Sequence, residues 1–358
     1  TYSTRRPDID ESIAALVAAA GDGTNDDLIR ELVTTAIKLQ RDDPARGDLK
    51  LINTALKEMR YSSLVFAQHQ TEPKVTVFGS ARTPSNDPNY VLAKEFGRRM
   101  AEIGWGIITG AGPGIMRAAN EGAGRDSSYG VNIRLPFEDS ANEFLDPAKT
   151  INFKYFFTRK LGFVKEAHGF ALFPGGFGTM DETYELLTLI QTGKSDLHPI
   201  VLVEAEGTGY WTKWAEFADD LVGEGLISDE DRSLYLVTND LDEAIAEICG
   251  FYANYHSQRY VNGRLVLRIR QSPTDEQLTA LNDEFADLLT EGLIERTEPS
   301  PAELADEDVV DLPRLGLSFD RRHFSRLRMM IDRLNEFADV DAGRPGDAFT
   351  AAQADRDW

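Results

Sequence analysis

Hydrophobic positions recur along this chain in two rhythms, and the switch between them organises it. Within Asp26–Leu39 apolar residues fall at 28, 29, 32, 33, 36, 37 and 39, the spacing of one helix face. A second helix is predicted from Asp48 to Gln68, and Thr71-Glu72-Pro73 breaks the pattern, so residues 1–72 read as a helical segment. From Lys74, short apolar runs alternate with helical stretches. Val75–Phe78, Trp105–Thr109, Gly130–Leu135, Phe170–Phe173, Ile200–Val203 and Leu234–Val237 read as strands. Tyr90–Ile103, a stretch ending near Gly124, Phe156–His168, Thr179–Gln191, Tyr210–Val222 and a stretch from Leu241 to about Tyr255 read as helices. Strands this short and this apolar suit a parallel sheet covered on both faces. Right-handed crossovers then wind it twice. The expectation is an α/β, Rossmann-like doubly wound domain over residues 73–257.

Beyond Asn262 the rhythm changes again. Arg264–Arg270 reads as a strand and Thr274–Thr290 as a helix opened by a Thr274/Gln277 capping box. Ile294–Thr297 and Leu315–Phe319 follow as strands around an acidic loop, Pro299–Pro313, and Arg321–Phe337 as a helix. This βαββα order predicts a small C-terminal α+β module over 262–338, ferredoxin-like or ACT-like, with a disordered tail at 339–358.

The 358 residues carry a net charge of −22. Nucleic acid and anionic membrane surfaces are disfavoured partners, because both need clustered Lys and Arg. No apolar run approaches the roughly 18 residues of a membrane span, and the start of the chain lacks the apolar core of a signal peptide. A cytoplasmic location is the expectation. Cys249 stands alone, which excludes an intrachain disulfide and a cysteine-built zinc site. The five histidines show no ligand spacing, so no metal is implied; His168, just before an apolar strand, reads as structural. An anionic ligand would have to be held locally, against the global field of the protein.

Three turns can do this, each at the C-terminal end of a predicted parallel strand, where open α/β sheets bind ligands. They are Gly79-Ser80-Ala81-Arg82, Gly110-Ala111-Gly112-Pro113-Gly114 and Pro174-Gly175-Gly176-Phe177-Gly178-Thr179. Glycines let the backbone approach a ligand closely, and the next helix aims unpaired N–H groups and its positive dipole end at an anion. That is a phosphate cradle without lysine. A Walker loop needs Gly-Lys-Ser/Thr, which these turns lack, and the dinucleotide fingerprint G-x-G-x-x-G fails at Ile115.

Pro174-Gly-Gly-Phe-Gly-Thr-Met-Asp-Glu182 resembles the P-G-G-x-G-T-x-x-E signature of the LOG ("Lonely Guy") family. Phe156-Phe-Thr-Arg159-Lys160 is similar to its paired Arg-Lys element, and Gly79-Ser80 and Gly110-Ala-Gly-Pro-Gly-Ile-Met116 to its two earlier turns. The resemblance covers roughly residues 73–250 and resembles the longer bacterial members most. Phe156-Phe157 stands where many short members have Met-His, a departure that bears on the base pocket. The resemblance implies a Rossmann-like fold, a homodimer or larger homo-oligomer, and no cofactor. It implies hydrolysis of the N-glycosidic bond of a nucleoside 5′-monophosphate, AMP or N6-modified AMP among them, to free base and ribose 5-phosphate. Cytokinin production is a less safe implication for the longer members. A carrier that binds a nucleotide or a pterin cofactor without cleaving it is the alternative. The label lysine decarboxylase, given to some members, fits poorly, since that chemistry needs a Schiff-base lysine and no lysine lies in the three turns.

On this reading Glu182 stabilises charge developing on the sugar, orients water or holds ribose hydroxyls. Arg159 pairs with the phosphate or polarises the leaving group. Gly79, Ser80, Arg82, Gly110, Gly112, Gly114, Lys160, Pro174, Gly175, Gly176, Gly178 and Thr179 are the expected phosphate and substrate contacts. Lys160 points about 100° away from Arg159 on a helix. Asp181 reads as an acidic helix-start residue, and Met116 and Asn120 as packing or capping residues.

Overall fold

The computed structural model describes residues 2–21, 23, 25–134, 141–306 and 309–338. The tail expected to be disordered and the last residue of the strand expected to end at Leu135 lie outside them. The chain divides into two compact units, residues 1–60 and residues from 61 onward. The first holds α1 (Pro7–Ala20), α2 (Asp26–Asp42) and most of α3 (Arg46–Phe66). α1 packs on α2 with Ile13 and Val17 buried.

The second unit opens with a seven-stranded sheet of β1 (Lys74–Phe78), β2 (Gly106–Thr109), β3 (Ser128–Ile133), β4 (Thr150–Phe153), β5 (Gly169–Leu172), β6 (Ile200–Val203) and β7 (Leu236–Thr238). All neighbours are parallel and the order is β4-β3-β2-β1-β5-β6-β7. Successive strand residues point to opposite faces. Every residue of β1, β2, β5 and β6 is buried, so both faces are covered, as parallel sheets require. The crossover helices are α4 (Pro88–Glu102), α5 (Ile115–Ala123), α6 (Phe156–Glu166), α7 (Phe177–Gln191), α8 (Tyr210–Gly223) and α9 (Leu241–Gly250). Asp87 starts α4 by accepting the Asn89 amide at 2.8 Å, with Pro88 in the first turn. Asp240 does the same for α9. Strand order reverses between β1 and β5, so the crevice of this sheet lies at their C-terminal ends.

The C-terminal elements are β8 (Tyr255–Val261), β9 (Arg264–Ile269), α10 (Asp275–Glu284), β10 (Leu289–Thr297), α11 (Pro301–Ala305), β11 (Arg314–Phe319) and α12 (Phe324–Asn335). The strands form an antiparallel sheet in the order β10-β11-β9-β8. The Thr274/Gln277 capping box is present. Several expectations are corrected. β4 and β8 were not predicted. The helix expected to run to Tyr255 stops at Gly250, and β8 spans the expected domain boundary at 257–262. The helix expected over 274–290 ends at Glu284, the loop expected over 299–313 contains α11, and the last helix starts at Phe324 instead of Arg321. The order is therefore ββαβαβα, not βαββα.

This sheet packs on the parallel one through α12. Arg328 pairs with Glu247 of α9 and with Asp332 at 2.8 Å, and Asn335 Oδ1 accepts the amides of Asn254 and Tyr255 at 3.0 and 2.9 Å. Buried Glu303 of α11 sits between Arg268 of β9 at 3.0 Å and Arg314 of β11 at 3.2 Å. Its partners compensate a carboxylate that burial alone would neutralise.

Candidate functional site: three turns at the switch point

The ends of β1, β2 and β5 deliver the three glycine turns to one place, and hydrogen bonds tie them together. The Ser80 amide donates to the Pro174 carbonyl at 3.1 Å, and the Ile115 amide to the Ser80 carbonyl at 3.0 Å. Gly114 makes the second contact possible: its φ is +67°, and a Cβ there would lie 2.2 Å from the Ser80 carbonyl oxygen. In the middle turn Ala111 also has a positive φ, +65°. Its amide is held by Thr109 Oγ1 at 3.0 Å, which helps offset the strain of that conformation.

A cavity of about 710 Å³ opens where the turns meet, lined by Gly79, Ser80, Arg82, Gly110, Gly112, Arg159, Gly175, Gly176, Gly178, Thr179 and Glu182 among others. These are eleven of the fourteen residues expected from the sequence. Gly114, Pro174 and Lys160 are not in the lining. The first two join the turns, as described. Lys160 bridges Asp181 at 2.8 Å and Glu185 at 2.9 Å, fastening α6 to α7. Asp181, read as an acidic helix-start residue, also lines the cavity.

Arg159 lies one helical turn into α6. Its Nε donates to the Val131 carbonyl at 2.8 Å and its Nη2 to the Gly110 carbonyl at 3.3 Å. The guanidinium lies 5.0 Å from the centre of the Phe163 ring. A Cβ on Gly110 would fall 2.3 Å from Arg159 Nη2, so glycine leaves room for the guanidinium in this position. The Arg159 fork is thereby fixed before any ligand arrives.

Glu182 faces the same cavity from the first turns of α7. Burial pushes its carboxyl up to about 7, against the pull of the Lys160 and Arg159 cations. A carboxyl that titrates near neutrality exchanges protons readily at physiological pH. No side chain caps the N-terminus of α7, and its leading residues, Phe177 to Thr179, line the cavity with their amides unpaired along the helix. The site therefore combines an anion-receptive helix end, a fixed guanidinium and a poised carboxyl.

Three contributors, Tyr210, Glu204 and Asn142, escaped sequence reasoning. Tyr210, at the start of α8, lines the cavity and donates its hydroxyl to the Gly175 carbonyl at 2.7 Å. Glu204 fixes the start of α8 by accepting the amides of Tyr210, Trp211 and Thr212. Its place just after β6, next to β5, is the signal that points to the switch region. Asn142 braces the middle turn, its amide donating to the Ala111 carbonyl at 2.9 Å and its Nδ2 to the Gly112 carbonyl at 3.3 Å; nothing in its sequence context shows this. Asn120 joins the same brace through Thr109 Oγ1 at 2.7 Å. His168 is buried, with Nδ1 accepting the Lys74 amide at 3.2 Å. Among the described residues, no cluster of His, Cys, Asp or Glu is placed to hold a metal ion, and no helix is long and apolar enough to cross a membrane.

Comparison with known proteins bears on this site. A family model described as "Possible lysine decarboxylase" matches residues 114–248. The chain is 24% identical over 179 residues to a probable cytokinin riboside 5′-monophosphate phosphoribohydrolase of Oryza sativa subsp. japonica, covering 49% of this chain and 75% of that protein. It is 29% identical over 159 residues to a pyrimidine/purine nucleotide 5′-monophosphate nucleosidase of Escherichia coli (strain K12), covering 39% of this chain and 33% of that one. Among solved structures, the molybdenum cofactor carrier protein of Chlamydomonas reinhardtii matches at 24% identity with a TM-score of 0.33, covering 49% of this chain and 94% of that one.

Proposed function

The chain belongs to the LOG family, and from that premise we propose that it hydrolyses the N-glycosidic bond of a nucleoside 5′-monophosphate. The observation that carries the proposal is the placement of Glu182. It stands about one helical turn beyond the uncapped start of α7, where a ribose follows its 5′-phosphate into the cavity. The turn from Gly175 to Thr179 and the α7 amides hold the monoester, with Ser80 and Arg82 on its other side.

Water adds to the anomeric carbon as the bond from that carbon to the base nitrogen breaks. The electron pair leaves on the base, which takes up a proton, and ribose 5-phosphate remains. Positive charge develops on the sugar during this step, and an ionised Glu182 beside it stabilises that charge and receives the proton of the attacking water. Arg159, near enough to lower the Glu182 pKa, favours the ionised form against burial and faces the negative charge growing on the departing base. The family's descriptive label does not fit this cavity, because among the described residues no lysine lies in its lining.

The test is incubation of the full chain with AMP and a panel of other nucleoside monophosphates, reading free base and ribose 5-phosphate. Release of both supports the proposal. Tight nucleotide binding without release replaces it by a carrier function.

Lys160 supplies a graded check. Its charge pulls the Glu182 pKa down, whereas Asp181 and Glu185, its ion-pair partners, push it up. Lys160→Met removes the pull and leaves the acids unpaired, so the Glu182 pKa rises. The low-pH limb of kcat/KM, set by Glu182 ionisation in the free enzyme, is expected to move to higher pH in this variant. An unmoved limb assigns that ionisation to another group.

A further inference from the structure

A second cavity, of about 820 Å³, lies at the other end of α7. Gln191 and Thr192 from that end line it, together with Asp231, Asp287, Arg321–His323 before α12, and Ser325 and Arg326 in its first turn. α12 is seated firmly there: the Phe324 ring packs where a Cβ on Gly193 would lie 1.9 Å away. Buried Asp231 accepts from Ser228 N at 2.8 Å, Gln191 Nε2 at 2.7 Å and Ser325 Oγ.

The acids around this cavity are largely committed. Asp231 is spent on those bonds, and Asp287 pairs with Arg326 at 3.1 Å. Asp320 takes the Arg322 and His323 amides at 2.8 and 3.2 Å and pairs with the His323 ring. Among the described residues, Glu230, which is exposed, is the remaining carboxylate of the lining. Arg321 lies 4.2 Å from the centre of the Tyr260 ring and donates to the Gly263 carbonyl at 3.4 Å, and Arg322 is exposed. Among the described residues, neither makes an ion pair with a carboxylate. In a chain of net charge −22, two adjacent arginines without an acid partner, beside a ligand-sized cavity, match the fork that phosphoryl oxygens take.

We propose that this cavity is a second ligand site, that it takes a small molecule bearing two or more phosphoryl groups through Arg321 and Arg322, and that its occupancy is felt at the first site along α7. The helix is the physical link, since its first turn belongs to the nucleotide cavity and its last to this one.

The test is calorimetric titration of the full chain with pyrophosphate, with ribose 5-phosphate present to occupy the first site. One pyrophosphate is expected to bind per chain, and Arg321→Gln with Arg322→Gln to weaken it by about tenfold or more. Pyrophosphate is also expected to change ribose 5-phosphate affinity by roughly fivefold or more. No binding, or binding unaltered in the double variant, overturns the site. Binding that leaves ribose 5-phosphate affinity unchanged overturns the link along α7. Failure of ribose 5-phosphate to bind counts against the nucleotide reading alone, because loss of pyrophosphate binding in the double variant is read without it.

Discussion

Glu182→Gln is expected to slow base release by about a thousandfold, with the KM for AMP changed by about threefold at most. Glutamine keeps the size and one hydrogen-bonding oxygen of the side chain but carries neither charge nor titratable proton. If the carboxylate acts only on charge that develops during the reaction, its loss falls on kcat and spares ground-state binding. The low-pH limb of kcat/KM should vanish in the same variant, because the group titrating at about 7 is gone. Stability supplies the control. Burial raises the Glu182 pKa from 4.5 to about 7 in the folded chain, so the protonated form favours the native state. That contribution is fully present below the unfolded-chain value and is lost as pH rises between the two values. At pH 8 glutamine avoids the cost of ionising a buried group, and the variant is expected to melt no lower than the wild type. A variant that is slow and also melts early would trace the loss to folding. A variant that retains more than about a tenth of the activity would remove Glu182 from the reaction.

The central architecture was legible because its strands are buried on both faces and its turns are glycine-rich. A run such as Ile200–Val203 has no polar face to confuse with a helix, and it matches β6 residue for residue. The missed strands share a different trait. β4 and β8 are the edges of their sheets, and the other C-terminal edge, β10, was recognised only in its last residues. An edge strand has one neighbour and more solvent, so it carries polar residues without the continuous apolar run of a central strand. In β8, Tyr-His-Ser-Gln-Arg-Tyr-Val follows α9 and its short connection, where the expected helix ends at about Tyr255 and the mixed polar run beyond it carries no strand pattern. The site divides in the same way. Glu182, Arg159 and the turns are contiguous in short motifs, whereas Tyr210 and Asn142 reach the turns from elements distant in sequence. Lys160 was visible as a charge, but only the fold shows that it is spent on Asp181 and Glu185.

Glycine substitutions in the turns separate those that hold the site together from those that face its ligand. Gly114→Ala is expected to destabilise the chain by about 2–4 kcal/mol. The residue sits at φ +67°, and the new Cβ would meet backbone atoms at 2.2, 2.7 and 2.9 Å, the Ser80 oxygen and two Ala81 carbons. None of these is the end of a side chain that can swing away, so the first and second turns must part and the bond from the Ile115 amide to Ser80 is lost. Nucleotide affinity should fall with stability, because the cradle is assembled from both turns. Gly178→Ala is the contrasting case. Gly178 lies inside α7 with no atom within 4 Å of a built Cβ, and alanine favours the helix by up to about 1 kcal/mol over glycine. Stability is then expected to hold or rise. Affinity for AMP should nevertheless drop by about tenfold or more, since the methyl group enters the space in which a phosphate meets the α7 amides. Denaturant unfolding and AMP titration of the two variants check both limbs. A Gly178→Ala protein that binds AMP as tightly as the wild type would place the phosphate elsewhere in the cavity, and with it the ribose that Glu182 is proposed to serve.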